Sequence, residues 1–315
     1  MKWIARGKEK VKKHIAKLVR AEVEDMLPII AQVVDSQNIR EEERPSCYHF
    51  FQDPFGNKDL YFRLKDRLLD LGVPVQDVDI DIADFEKWLD KFSDVKKYYQ
   101  REEDLLIEKC LEHYMAFRYL ELGPNDVYID VASAKSNWAI ILNDKKIKSF
   151  RLDMSYPGGI HGINIGADAG NTNLPEGFAT ALSTQCAFEC FMGDADIRFI
   201  GEAGRILSKE GRYSILPLYM NDTHIVSTSP YCDQKNIVID RGAKRVWRSD
   251  GKKVPFARFY SPESFKERIY SNIPDGMAGK VIFFRNLPDV MKHYPGQRIY
   301  CFFMFYCEMK KVSDR

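Results

Sequence analysis

Between Asp126 and Tyr219 short apolar runs alternate with breakers and amphipathic stretches, and three successive runs end in or just before an acid: Asp130, Asp153 and Asp168. An alternation of strand and helix signals on this scale builds a mostly parallel sheet with helices on its faces. Such a sheet binds ligands outside the carboxyl ends of its strands. Carboxylates placed there suit ribose hydroxyls and an adenine amino group, so the segment reads as a nucleoside-type cofactor site.

Strands are expected over 127–131, 147–152, within 162–167, and over 180–184 and 212–218, with helices over 137–142 and 194–207. Upstream, helices are expected over 1–35 (broken near Pro28), 60–71, the DFEKWLDKF run and 100–122, the last ending at Gly123-Pro124. Pro54-Phe55-Gly56-Asn57 signals a turn, Pro74–Ile82 reads as extended, and Asp81 or Asp84 can cap the helix that follows. Downstream come a polar insertion at 221–254, a helix over 264–270 and closing strands over 280–284 and 298–307. The DVDID string lacks the glycine and the terminal glutamate of a calcium loop.

The chain has 315 residues, 45% of them hydrophobic and 30% charged, enough for a large α/β domain with a smaller accessory unit. Lys+Arg 47 against Asp+Glu 46 leaves a net charge of +1, which carries no electrostatic footprint for nucleic acid. Seven cysteines form no CxxC pair and cluster with no histidine, so they read as core thiols of a reducing compartment, and no metal is expected. No apolar run approaches the ~20 residues of a membrane span. The basic amphipathic N-terminus has no signal-peptide core, and a cytoplasmic location is expected.

From Asp126 to Tyr219 the pattern resembles the class I S-adenosylmethionine-dependent methyltransferases, of a bacterial small-molecule type. The resemblance rests on Asp130 before a tight turn, Asp153 at a strand end 23 positions on, Asp168 with Leu174-Pro175 in GADAGNTNLPEGF, and GEAGRILSKEGRYSILPLY. It implies a Rossmann-like, seven-stranded, mostly parallel sheet with an antiparallel closing strand and an N-terminal helical extension. It further implies S-adenosyl-L-methionine as cofactor, held by Asp130, Ala132, Ser133, Ser136, Asp153, Met154, Asp168, Ala169, Gln185 and Tyr114. The family's first turn reads like GxGxG, whereas here alanine and serine occupy it, a degenerate glycine motif. Alanine resists positive φ, but such a turn can still pass close to a ligand if its dihedrals are ordinary. The MSYPGGIHGINIG loop is too short for the usual intervening helix.

Methyl transfer from a sulfonium rests on positioning and desolvation, and a hydroxyl acceptor also needs a base. In this architecture the acceptor comes to the end of the fourth strand, STQCAFECF. Glu189 there is a candidate base, its pKa raised by Phe188 and Phe191, and His161 is the rival. Tyr156, Phe188, Arg241, Arg245, Trp247 and Arg258 are the expected acceptor walls, although a basic loop at 241–248 is equally a solvated surface. The expected activity is methyl transfer to a small-molecule hydroxyl, of a sugar or secondary metabolite, with a homodimer as a possible assembly. The alternative is a catalytically inactive methyltransferase-fold binding or partner module. An RNA or protein methyltransferase lacks the charge or the acceptor motif, and a dehydrogenase lacks a GxGxxG cradle. The expected division is a helical cap at 1–100 and a catalytic domain at 101–315 with an insertion at 221–262.

Overall fold

The computed structural model describes residues 58–229, 231–248 and 253–310; the expected helix at 1–35, the turn at 54–57 and Cys47 lie outside them. Eleven strands and eight α-helices occur among these residues. The strands are β1 (Val75–Val78), β2 (Val127–Val131), β3 (Lys148–His161), β4 (Asn164–Gly166), β5 (Ala179–Gln185), β6 (Leu207–Leu216), β7 (Ile225–Thr228), β8 (Lys244–Trp247), β9 (Ala257–Phe259), β10 (Met277–Phe284) and β11 (Phe303–Met309). The helices are α1 (Lys58–Asp70), α2 (Ile82–Lys91), α3 (Ser93–Tyr99), α4 (Leu106–Tyr119), α5 (Trp138–Asp144), α6 (Ala195–Ile206), α7 (Pro262–Arg268) and α8 (Leu287–His293).

Eight strands form the main sheet in the order β1-β10-β11-β6-β5-β2-β3-β4. β11 runs antiparallel to both its neighbours, and β5 runs parallel to β2 and β6, so the sheet is the Rossmann-like α/β arrangement with an antiparallel closing strand. The count is eight rather than the expected seven because Pro74-led β1 adds a parallel edge to β10, with Val75 opposite Val281. In the central strands β2 and β5, Tyr128, Ile129, Ala181 and Leu182 are fully buried, and so are the polar Ser183 and Thr184, as a sheet covered on both faces requires.

Helix starts follow local chemistry. Asp81 caps α2 by accepting the Asp84 amide at 3.0 Å, and Phe85, Trp88 and Leu89 at helical spacing face the core. Ser261 and Ser264 form a reciprocal capping box on α7, with Pro262 at its first turn. The helix expected over 100–122 splits into a 3-10 turn at Gln100–Leu105 and α4, because Glu103 leaves helical φ/ψ.

The stretch expected as a polar insertion holds a second sheet, β8-β7-β9, with its own small core of Ile225, Val246, Ala257 and Phe259. Its anchor to the main body is fully buried Arg258 on β9. That guanidinium meets Asp240 through Nε (2.5 Å) and Nη2 (2.9 Å) and Asp196 of α6 through Nη1 (3.0 Å), and donates to the Phe191 and Gly193 carbonyls at 2.7 Å each. Among the described residues no helix is long and apolar enough to cross a membrane.

Candidate functional site

A cavity of about 290 Å³ opens beside the carboxyl ends of β2 and β5. Its walls come from the turn Ala132–Ser136, from Asp130, Gln185 and Cys186 at the strand ends, from Tyr98 and Tyr99 of α3, and from Lys109, Glu112 and His113 of α4.

The turn keeps left-handed backbone at two alanines, Ala132 (φ 55°) and Ala134 (φ 44°), so its dihedrals are not ordinary. Three residues of β3 hold it there. Asp153 Oδ2 accepts the Ala134 amide at 2.8 Å, the Tyr156 hydroxyl donates to the Ala134 carbonyl, and Arg151 donates to the Ser136 carbonyl at 3.3 Å. A side-chain-bearing residue in this region costs about 1–2 kcal/mol, whereas glycine costs little there but loses more chain entropy on folding. Ala132→Gly and Ala134→Gly should therefore each stabilise the protein, by roughly 0.5–1 kcal/mol in thermal denaturation. A loss of stability in both would show that the backbone is not strained there.

Four side chains at the cavity or just behind it bury a polar atom without a hydrogen-bond partner: Asp130 Oδ2, Gln185 Oε1, His113 Nδ1 and Glu189 Oε2. Buried polar atoms are ordinarily paired, so a cluster of orphans marks a place that a polar ligand completes. Burial pushes the Asp130 carboxyl up to about 7, against the pull of Ser136 and Arg151. Burial likewise pushes Glu189 up to about 7 and takes His113 down to about 3, so that imidazole stays neutral. His113 is fixed by the Tyr99 hydroxyl at 2.9 Å and lies against Trp138 at 4.8 Å.

Of the residues expected to hold a cofactor, Asp130, Ala132, Ser133, Ser136 and Gln185 line this cavity, and Asp153 braces its turn from behind, also accepting the Ser155 amide at 2.9 Å. Tyr114 does not line it. That side chain turns to the other face of α4, packs against Trp88 and Phe85, and donates to Asp84 at 2.6 Å. Asp168 is taken up by the Gly170 amide (2.8 Å) and Arg198 (3.1 Å), Ala169 is buried and Met154 is exposed.

Of the two candidate bases, Glu189 follows the end of β5, one layer behind the cavity wall, with Oε1 3.7 Å from the Cys186 thiol. His161 is exposed on the outer edge of the sheet, its Nε2 3.0 Å from the Gly158 carbonyl. Phe188 is a core residue against Phe191, Phe199 and Tyr260 rather than a wall. Arg258 is consumed by its ion network, Arg241 lies on the turn that precedes β8, and Arg245 and Trp247 lie on β8 of the second sheet, where Arg245 covers the Trp247 ring at 4.9 Å. Tyr156 meets the turn from behind and also stands 3.4 Å from the Ser133 hydroxyl.

Sequence reasoning missed Lys109, Glu112, Tyr98 and Tyr99. Its one available signal is that α4 carries ionisable residues on its buried side: Glu108, Lys109, Glu112 and His113 are largely or wholly shielded from water.

No protein-family model matches the sequence, and no curated protein does. Among solved structures, the chain is similar to a Burkholderia thailandensis 1,6-didemethyltoxoflavin-N1-methyltransferase with bound 1,6-didemethyltoxoflavin and S-adenosylhomocysteine. The identity is 10% and the TM-score 0.42, over 75% of this chain and 94% of that one. A Mesorhizobium loti S-adenosylmethionine-dependent methyltransferase gives 16% identity and a TM-score of 0.42, over 63% and 98%. An Archaeoglobus fulgidus methyltransferase that also depends on that donor gives 11% and 0.37, over 64% and 93%. Likeness at this level decides no function; that question rests on the cavity.

Proposed function

We propose that this chain is an S-adenosylmethionine-dependent methyltransferase acting on the hydroxyl of a small molecule, with the described residues 58–100 forming a cap over the site. The observation that carries the reading is the cavity at the ends of β2 and β5: a strand-end acid with an orphaned oxygen, a turn in glycine-like backbone conformation, and acidic and aromatic walls. The residues present fit the donor. Asp130 and Glu112 suit its positive charge, Ser133 and Ser136 offer hydroxyls to its carboxylate, and Asp153 is the ribose-side acid. When bound, the donor supplies an electrophilic methyl group. Tyr98 and Tyr99 exclude water from that region, and Glu189, poised near neutrality by burial, is the group suited to hold a proton taken from an acceptor.

Calorimetry with S-adenosylmethionine and S-adenosylhomocysteine tests the reading. Binding of both is expected, and absence of both ends it. Asp153→Ala should weaken S-adenosylhomocysteine about tenfold, since this carboxylate fixes the Ala134 amide of the turn that lines the cavity. Unchanged affinity would remove Asp153 from the site. A second reading, a binding module without turnover, is favoured by one feature: the alanine Cβ atoms that the turn places beside the cavity. Binding of the donor with no methyl transfer to any hydroxyl acceptor, in the Ala132→Gly and Ala134→Gly variants as well, would establish it.

A further inference from the structure

Lys109 is the basic group of the cavity interior; Lys135, the other lysine on its lining, is exposed at the turn. Its Nζ lies 2.8 Å from Glu112 Oε1 and 3.5 Å from the Tyr300 hydroxyl, with its side chain 14% exposed. Burial opposes its charge, but its acidic surroundings, with Glu112 in contact, outweigh that and the ammonium stays ionised above the ordinary lysine value. Glu112 is its ion-pair partner, and Glu108 adds no second negative charge. Burial first, then repulsion by Glu112, pushes Glu108 up to about 8, so Glu108 is protonated at neutral pH. Burial also pushes the Cys186 thiol up to about 12, so it carries no charge.

A buried ammonium beside the strand end where an acceptor arrives serves no purpose for a neutral alcohol, whose oxygen needs only a hydrogen bond. It does serve an oxygen that reacts as an anion. The surroundings are flat and aromatic: Tyr219 and Tyr300 stack with centroids 6.1 Å apart on the Cys186 side, and Tyr98 meets Tyr99 edge-on at 4.8 Å across the cavity. Lys109 and Cys186 line the cavity, and the tyrosine pair packs behind them, with the Cys186 thiol 3.2 Å from the Tyr219 hydroxyl.

We propose that Lys109 anchors the acceptor, and that the acceptor is a compact planar acidic hydroxyl, a phenol or enol, held through its oxygen by the Lys109 ammonium beside Cys186. The inference rests on the methyl-transfer reading for its chemistry but not for its test. A cation within contact of a phenol favours its ionised form, lowering the midpoint of ionisation by roughly one to two pH units.

The probe is 4-nitrophenol, whose ionised form is coloured, titrated with pH in the presence and absence of full-length protein. The expected result is a midpoint shifted to lower pH by at least one unit, with proton release to buffer on binding that is largest between the shifted midpoint and that of the free phenol and fades on either side. Lys109→Met should abolish the shift and weaken binding about tenfold, while Lys109→Arg should keep the shift. Lys109→Met leaves Glu112 buried and unpaired, so Lys109→Met with Glu112→Gln is the companion variant, and it too should lose the shift. Nitrophenol that does not bind, or binds with unshifted ionisation, overturns the proposal, as does a shift that survives in the double variant. Calorimetry with S-adenosylhomocysteine on the same samples separates the failures. If S-adenosylhomocysteine binds while the phenol shift is absent, only the lysine anchor falls. If S-adenosylhomocysteine is not bound but the shift is present and Lys109-dependent, the methyl-donor reading falls and the anion site stands.

Discussion

Arg258→Met should lower the free energy of unfolding by about 3–5 kcal/mol in urea denaturation, the largest single-site loss expected among the residues described. Arg258 is fully buried, and every donor of its guanidinium is used: Asp240, Asp196 and the Phe191 and Gly193 carbonyls. Asp240 is buried too, which works against its charge, yet the hydrogen bonds from Arg258 hold its carboxyl well below the usual carboxylate range. Methionine of similar volume takes the guanidinium from two buried carboxylates, leaving Asp196 with Arg268 and the Tyr260 hydroxyl, each at 2.7 Å, and Asp240 with His224 at 3.1 Å. The control is Arg258→Met with Asp240→Asn, which removes one stranded charge and should recover part of the loss. A loss under about 1 kcal/mol for Arg258→Met would mean that the second sheet is not anchored through this pair. The same substitution should disturb the site, because Phe191 directly follows the 3-10 turn Phe188–Cys190 that carries Glu189.

How much of this was legible in the sequence follows from what sets each feature. Strand β2 is a run of β-branched and aromatic residues ending in an acid, so its place and the position of Asp130 at its end depend on the local sequence. The same holds for β5 and for the cap at Asp81. The place of Glu189 just after β5 depends likewise on the local sequence. The conformation of Ala132 and Ala134 was not legible, because hydrogen bonds from Asp153 and Tyr156 impose it against alanine's own preference. Helix α4 was read as a helix, but Lys109 and Glu112 look like solvated helix residues in isolation. Only the packing of the α2–α3 segment over them makes their burial visible. The second sheet was missed for a related reason. Its strands have three or four residues each, and its anchor joins Arg258 to residues more than 60 positions upstream. Phe188 and Arg258 were assigned as walls on residue type, and the fold instead uses their bulk and charge inside.

Asp130→Asn should weaken S-adenosylhomocysteine by about 2–3 kcal/mol, roughly 30- to 150-fold, and flatten the pH dependence of its binding. The parent protein buries Asp130 to 2% exposure with Oδ2 unpaired, and burial raises its carboxyl to about 7. At pH 6 most of the free protein carries this group protonated, and a ligand ammonium that pairs with it must drive the proton off. Affinity should therefore rise from pH 6 to 8, and calorimetry in buffers of different ionisation enthalpy should show proton release at pH 6 that fades above pH 7. Asparagine cannot ionise, so both the slope and the Asp130 part of the proton release vanish. Stability moves the other way. A carboxyl whose folded pKa is raised from 3.8 to about 7 contributes no penalty below the unfolded value, and its full penalty appears once pH exceeds the folded one. Without ligand, Asp130→Asn should thus match the parent near pH 4 and exceed it in melting temperature at pH 8. Greater stability together with weaker binding is the signature of a charge kept for a ligand. A variant that loses stability at pH 8, or that binds S-adenosylhomocysteine as tightly as the parent, would make Asp130 a structural acid instead.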